Sequence, residues 1–270
     1  MRISFLGGGN MAAALIGGLI ERGFAASDLQ AIDLNADARK GLETRFGVRT
    51  TECADAQALA CDVLVLAVKP QSMREALAPI AGQLTTQLVL SIAAGIRVEA
   101  LVRWLGGYRR IVRAMPNTPA LVGAGAAGLF ADASVTADER DAAARILGAV
   151  GSVAWLSSEP QVDAVTALSG SGPAYVFYFI EALIEGGEAI GLSRDVARAL
   201  AIDTVLGAAK LAAASEDDAA TLRARVTSKG GTTAAALASM ERDDFKGLIA
   251  RALAAADARG RELGDELGRD

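Results

Sequence analysis

Hydroxyls and glycines crowd together at Val226-Thr227-Ser228-Lys229-Gly230-Gly231-Thr232-Thr233. Paired glycines leave backbone N–H groups open, and Ser228, Thr232 and Thr233 add side-chain donors. Such a loop suits a small anion, for instance the carboxylate of an amino acid. A second glycine cluster lies at the start, in Phe5-Leu6-Gly7-Gly8-Gly9-Asn10-Met11-Ala12. This is a G-x-G-x-x-A form of the dinucleotide fingerprint. Gly7 permits the tight turn, Gly9 lets backbone approach a pyrophosphate, and the small Ala12 allows close helix–sheet packing. The plain alternative is a glycine turn needed only for packing.

Three further positions extend this reading. Asp33 lies 26 residues after Gly7. A carboxylate there accepts from the ribose 2′-OH of NAD and repels the 2′-phosphate of NADP. Arg39 stands nearby for the opposite role, and a helix cap is the bland reading of Asp33, so cofactor choice stays open. Lys69 and Pro70 follow the apolar run 63–68, where ligands collect in open α/β sheets. An ordinary surface lysine is the alternative. The segments Ser91-Ile92-Ala93-Ala94-Gly95 and Met115-Pro116-Asn117-Thr118-Pro119 end two more predicted strands.

Composition narrows the chemistry. The chain has 270 residues, 52% of them apolar, and a net charge of −5 that argues against nucleic acid. Histidine is absent, which removes the usual acid/base group and the commonest metal ligand. Cys53 and Cys61 have no metal spacing and read as free thiols, with a bridge between them the alternative. No signal-peptide pattern is legible, and no apolar run is long enough to span a bilayer, since Glu181, Glu185 and Glu188 interrupt the best one. A cytoplasmic protein, with no metal and no membrane, is expected.

The elements that must hold these groups follow from periodicity. Strands are predicted at 3–6, 29–34, 63–68, 88–92, 111–114 and 153–156, with a helix at 11–22. This βαβ rhythm implies a parallel sheet. Composition changes near Ser157-Ser158-Glu159-Pro160, and no strand is legible beyond. The expected division is a nucleotide-binding domain over 1–158 and an all-helical domain over 159–270. Its first long helix, 174–190, is apolar on most of its circumference and must be buried. A homodimer is the expected cover, and a core helix within one subunit the alternative. Ser193 is a predicted N-cap for the next helix, and a last helix is expected over 243–267.

The segments FLGGGNM, AVKP, SIAAG, RAMPNTPA, SGSGPAYVF and VTSKGGTT occur here in the order found in pyrroline-5-carboxylate reductases. The chain resembles that family over essentially its whole length, and the last motif is the most specific. The resemblance implies an N-terminal Rossmann domain and a C-terminal helical dimerisation domain, with dimers assembled into rings such as decamers. It implies reduction of 1-pyrroline-5-carboxylate to L-proline by NADPH or NADH. Carried over by motif, Gly7, Gly9, Asn10 and Met11 meet the pyrophosphate. Ala67, Lys69 and Pro70 line the cofactor, and Ala93 and Asn117 lie near the nicotinamide. Ser228, Gly231 and Thr232 hold the substrate carboxylate, and Thr233 serves as the catalytic hydroxyl near the ring nitrogen. Family members that use NADPH often have a small neutral residue where this chain has Asp33.

Two other classes are weighed against this. Lys210, on a predicted helix, would be the acid/base of a hydroxyacid dehydrogenase of the Rossmann-plus-helical type. A cofactor-binding sensor without activity would lack an intact substrate loop, which this chain has.

Overall fold

The computed structural model describes residues 1–269. Eight strands form one sheet: β1 (Ile3–Leu6), β2 (Leu29–Ile32), β3 (Arg49–Thr51), β4 (Val63–Leu66), β5 (Leu88–Ser91), β6 (Ile111–Met115), β7 (Gly125–Ala131) and β8 (Gly151–Trp155). Their order is β3-β2-β1-β4-β5-β6-β7-β8. Every pair is parallel except β6 with β7. The helices between them are α1 (Asn10–Glu21), α2 (Ala36–Phe46), α3 (Ala56–Leu59), α4 (Met73–Leu77), α5 (Val98–Trp104) and α6 (Ala137–Gly148). The strand order reverses between β1 and β4, which opens a crevice at their carboxyl ends.

The strands alternate between two cores, as a period of two dictates. Ile3 and Phe5 of β1, with Val63 and Val65 of β4, join Leu15, Ile16 and Leu19 of α1 on one face. Leu6, Leu64 and Leu66 join Met73, Leu77 and Leu101 on the other. β7 escapes a pattern reading because its residues are small of necessity. A Cβ on Gly128 would lie 2.8 Å from a Val165 methyl, and one on Gly125 would lie 3.0 Å from backbone.

Five helices carry the rest: α7 (Pro160–Val165), α8 (Gly172–Ala189), α9 (Arg194–Ala214), α10 (Ala219–Arg225) and α11 (Thr232–Arg242), before the closing α12 (Phe245–Leu267). A π-turn over Thr166–Gly170 joins α7 to α8. By packing the chain forms two compact units, one of residues 1–171 with 255–270, the other of residues 172–254. The packing boundary thus falls beyond the composition change at 158, and the last helix is shared.

In the first unit, Arg113 of β6 is fully buried. Its guanidinium meets Asp163 Oδ1 at 2.7 Å and Glu159 Oε1 at 3.1 Å, tying α7 to the sheet. In the second unit no residue of α8 is buried in a single chain, and Phe177 and Tyr178 are 61% and 76% exposed. That rules out a core helix within one subunit. The helical run Pro160–Ala189 is also long and apolar enough to cross a membrane, against the reading from its glutamates. Those acids are too few to lower its mean hydropathy below that of a spanning segment. Cys53 is exposed, Cys61 is buried, and both are free thiols.

Candidate active site

The glycine loop joins β1 to α1 at the crevice. Gly7 has φ +105, and a Cβ there would lie 2.7 Å from the carbonyl carbon of Ala67. Only glycine lets the ends of β1 and β4 meet so closely. Gly7 N–H donates to Ile32 O at 2.8 Å, and Ala67 N–H to Leu6 O at 2.8 Å. Gly9 is the N-cap of α1 and has open space on its Cβ side. No side chain caps α1 and no acid stands in its first turn. Unpaired N–H groups and the positive end of the dipole therefore face the crevice. Asn10 is exposed and Met11 is half-buried against the core. This arrangement fits a dinucleotide pyrophosphate.

Asp33 follows β2 directly and clasps the loop. Its Oδ2 accepts from Gly8 N–H at 2.6 Å and its Oδ1 from Asn35 N–H at 2.8 Å. A Cβ on Gly8 would crowd this carboxylate, at 3.3 Å from Oδ2. Arg39 turns its Nη1 to the carbonyls of Asp33 and Leu34, at 2.7 and 3.0 Å. Its Nη2 lies 3.7 Å from Glu52. Both groups thus have backbone duties, one as acceptor and one as donor. Spacing revealed Asp33 but not its hold on Gly8, which needs the turn geometry.

The other strand ends supply shape more than charge. Lys69 is exposed and has no ion pair among the described residues. Pro70 opens a short 3-10 turn, which Ser72 N–H closes onto Lys69 O at 3.0 Å. Ala93 is buried in the core. Asn117 is also buried. It donates to Ser169 O at 3.1 Å and accepts from Ala126 N–H at 2.8 Å. Its amide is engaged within the fold through both its nitrogen and its oxygen, which sequence alone does not reveal.

In the second unit the hydroxyl-rich segment is shorter as a loop than its composition suggests. Thr232 and Thr233 are the first two residues of α11, not loop residues, because Gly231 already acts as the N-cap. Gly230 makes the turn with φ +74. Gly231 N–H donates to Ser228 O at 3.1 Å. A Cβ on Gly231 would sit 2.5 Å from Ser228 Oγ, so the serine hydroxyl rests over the start of the helix. No side chain caps α11 and its first turn holds no acid. The hydroxyls of Thr232 and Thr233 make no hydrogen bond within the described residues. Ser228 Oγ and the first-turn N–H groups form a cradle for one carboxylate. Asp218, the N-cap of α10, is held below the usual carboxylate range by Thr221 N–H and stays charged nearby in sequence. Lys210 is exposed on α9 without an ion pair among the described residues.

A family model described as pyrroline-5-carboxylate reductase dimerisation matches residues 159–263. Another, described as NADP oxidoreductase, coenzyme F420-dependent, matches residues 2–95. A pyrroline-5-carboxylate reductase of Pseudomonas aeruginosa is 48% identical over 99% of this chain and 98% of its own. The solved pyrroline-5-carboxylate reductase of Coxiella burnetii superposes with a TM-score of 0.92 at 43% identity, covering 97% of this chain and 98% of that one. The Plasmodium falciparum pyrroline carboxylate reductase, solved with NADP bound, gives a TM-score of 0.85 at 30% identity, covering 98% of each chain.

Proposed function

The chain belongs to the pyrroline-5-carboxylate reductase family, and on that premise we propose that it reduces 1-pyrroline-5-carboxylate to L-proline with NADPH or NADH. The observation that carries this reading is the uncapped start of α11, with Ser228 Oγ poised over it. A carboxylate there explains the missing side-chain cap, the missing acid and the placement of the hydroxyls at once.

Ser228, Gly231 and Thr232 hold the substrate carboxylate: the Thr232 N–H donates along the helix axis, and Gly231, whose own N–H closes onto Ser228 O, keeps Ser228 Oγ within reach. Thr233 follows in the same turn and hydrogen-bonds the ring nitrogen, which fixes the ring plane. Gly7, Gly9, Asn10 and Met11 receive the pyrophosphate at α1. Asp33 meets the adenosine ribose. Ala67, Lys69, Pro70, Ala93 and Asn117 shape the strand ends beside the nicotinamide. A bound reduced nicotinamide supplies a hydride from its C4. The imine carbon accepts that pair, the C=N π electrons move to nitrogen, and the nitrogen keeps the proton it already carries. The protonated imine is electrophilic by itself, so a site without histidine suffices. What the protein contributes is orientation, worth up to about 7–11 kcal/mol in favourable intramolecular cases.

The same reading divides the chain into a dinucleotide-binding domain over 1–158 and a substrate and dimerisation domain over 159–270. The start of the dimerisation match at residue 159 supports it. The exposed α8 face supports a homodimer. The reading extends to dimers joined in a larger ring such as a decamer, in the cytoplasm. Oxidation of NADPH and NADH is to be assayed with pyrroline-5-carboxylate beside a panel of hydroxy- and keto-acids. Turnover confined to the cyclic imine is expected. Turnover of a hydroxy acid, lost on Lys210→Ala, would replace this reading with the dehydrogenase one.

A further inference from the structure

The loop Ser91-Ile92-Ala93-Ala94-Gly95 leaves β5 at the carboxyl end of the sheet, and the chain's own last turns are packed behind it. Gly95 has φ +75, and a Cβ there would lie 3.2 Å from Leu267 Cδ1 and 3.7 Å from Leu263 Cβ. Leu267 packs on the core that includes Ala93 and Ile96. Gly264 is buried, and a Cβ on it would press on Arg97 at 3.3 Å and on Gly95 O at 3.5 Å. Glycine at both places lets helix and loop touch backbone to backbone.

Polar contacts fix the register of this joint. Arg97 Nη1 meets Asp265 Oδ1 at 2.7 Å, and its Nη2 donates to Arg261 O at 3.5 Å. Arg103 donates to Gly268 O at 2.5 Å. From the other side, Glu159 Oε1 accepts from Val98 N–H at 2.7 Å and from the buried Arg113 at 3.1 Å. The loop between β5 and α5 is therefore held by α12 and α7, which lie far from it in sequence. An unsupported loop of small residues would be mobile, and mobility at a reacting group costs rate steeply.

We propose that the end of α12, through Leu267, Gly264 and the Arg97–Asp265 pair, is a positioning brace for the Ser91–Gly95 loop against the nicotinamide. This rests on the reading that the loop lines the cofactor. The test uses the full-length enzyme carrying Leu267→Ala, with Ala94→Leu as a direct change in the loop. Dissociation constants for NADH and NADPH come from fluorescence titration without substrate, and kcat and KM from steady-state kinetics, below the melting transition. Leu267→Ala is expected to raise the cofactor dissociation constant by about three- to thirty-fold and to lower kcat, with the KM for the imine unchanged. Arg97→Asp is expected to do the same, and Asp265→Arg added to it to restore binding in part. A lower Tm with unchanged binding and turnover in Leu267→Ala, while Ala94→Leu impairs both, would overturn the brace alone. Unchanged cofactor binding in both would overturn the placement of the loop as well. If Leu267→Ala does not fold, Arg97→Asp and its rescue decide the matter.

Discussion

Replacing Gly231 by alanine tests the carboxylate cradle without touching a donor. Gly231 has φ −80 and ψ 173, an extended conformation open to any residue. Alanine is a poorer N-cap than glycine, so the fold loses at most about 1 kcal/mol. The new Cβ would lie 2.5 Å from Ser228 Oγ and 3.2 Å from Ser228 O. The hydroxyl must swing away, and the carboxylate loses one charge-assisted hydrogen bond. Such bonds contribute about 1.5–3 kcal/mol, which corresponds to a rise in KM of about ten- to 150-fold. Ser228→Ala should give the same loss by deleting the hydroxyl. The double variant should then be no worse than Ser228→Ala alone, because both changes remove one contact. Steady-state rates from cofactor absorbance, across a range of imine concentrations, complete the cycle. Strictly additive losses would refute the reasoning, since alanine would then act elsewhere than on Ser228. So would a Gly231→Ala enzyme with unchanged KM.

Other outcomes follow from the same geometry. Thr233→Ala should lower kcat by about ten- to a hundred-fold while leaving the cofactor dissociation constant alone; unaltered kinetics would remove Thr233 from the site. Asp33→Ser keeps an acceptor for Gly8 N–H but deletes a negative charge beside the ribose. Equilibrium titration should show the NADPH affinity gaining on that of NADH by about tenfold, the scale of one unit charge near a phosphate at intermediate dielectric. Asp163→Ala leaves the buried Arg113 with only the half-exposed Glu159. Denaturant melts should register a loss of about 3–5 kcal/mol, and a change under 1 kcal/mol would mean that water reaches Arg113.

The framework was legible because large apolar residues mark its buried parts. β1 occupies the predicted residues, and β4, β5 and β6 lie within one or two residues of prediction. Ser193 occupies the N-cap position of α9, though its hydroxyl makes no capping hydrogen bond, and α12 starts two residues after its predicted start. What stayed hidden has physical causes. β3 is three residues long and lies at the edge of the sheet, with every residue only half-buried, so Arg49-Thr50-Thr51 shows no hydrophobic period. β7 reads Gly-Ala-Ala-Gly because α7 lies against it, and small residues look the same in a turn. The antiparallel step it introduces breaks an otherwise parallel sheet. At the site, residue types were visible but partnerships were not. The engagement of Asn117 with Ser169 and Ala126, and of Asp33 with Gly8, depends on chain crossings that no local spacing encodes.

The compact unit that holds the sheet is not one stretch of sequence: residues 172–254 intervene before the end of α12 returns to it. A ribosome releases the chain from the N-terminus, at roughly 5–20 residues per second. The sheet can form while synthesis continues, but the loop after β5 waits for its support until residues 264–267 have emerged. Premature termination within the last helix would therefore yield a polypeptide with every catalytic motif and an unfinished nucleotide fold. For the same reason, expressing residues 1–171 alone omits the segment that closes the fold. A separable cofactor module would need residues 255–270 rejoined to it through a short linker.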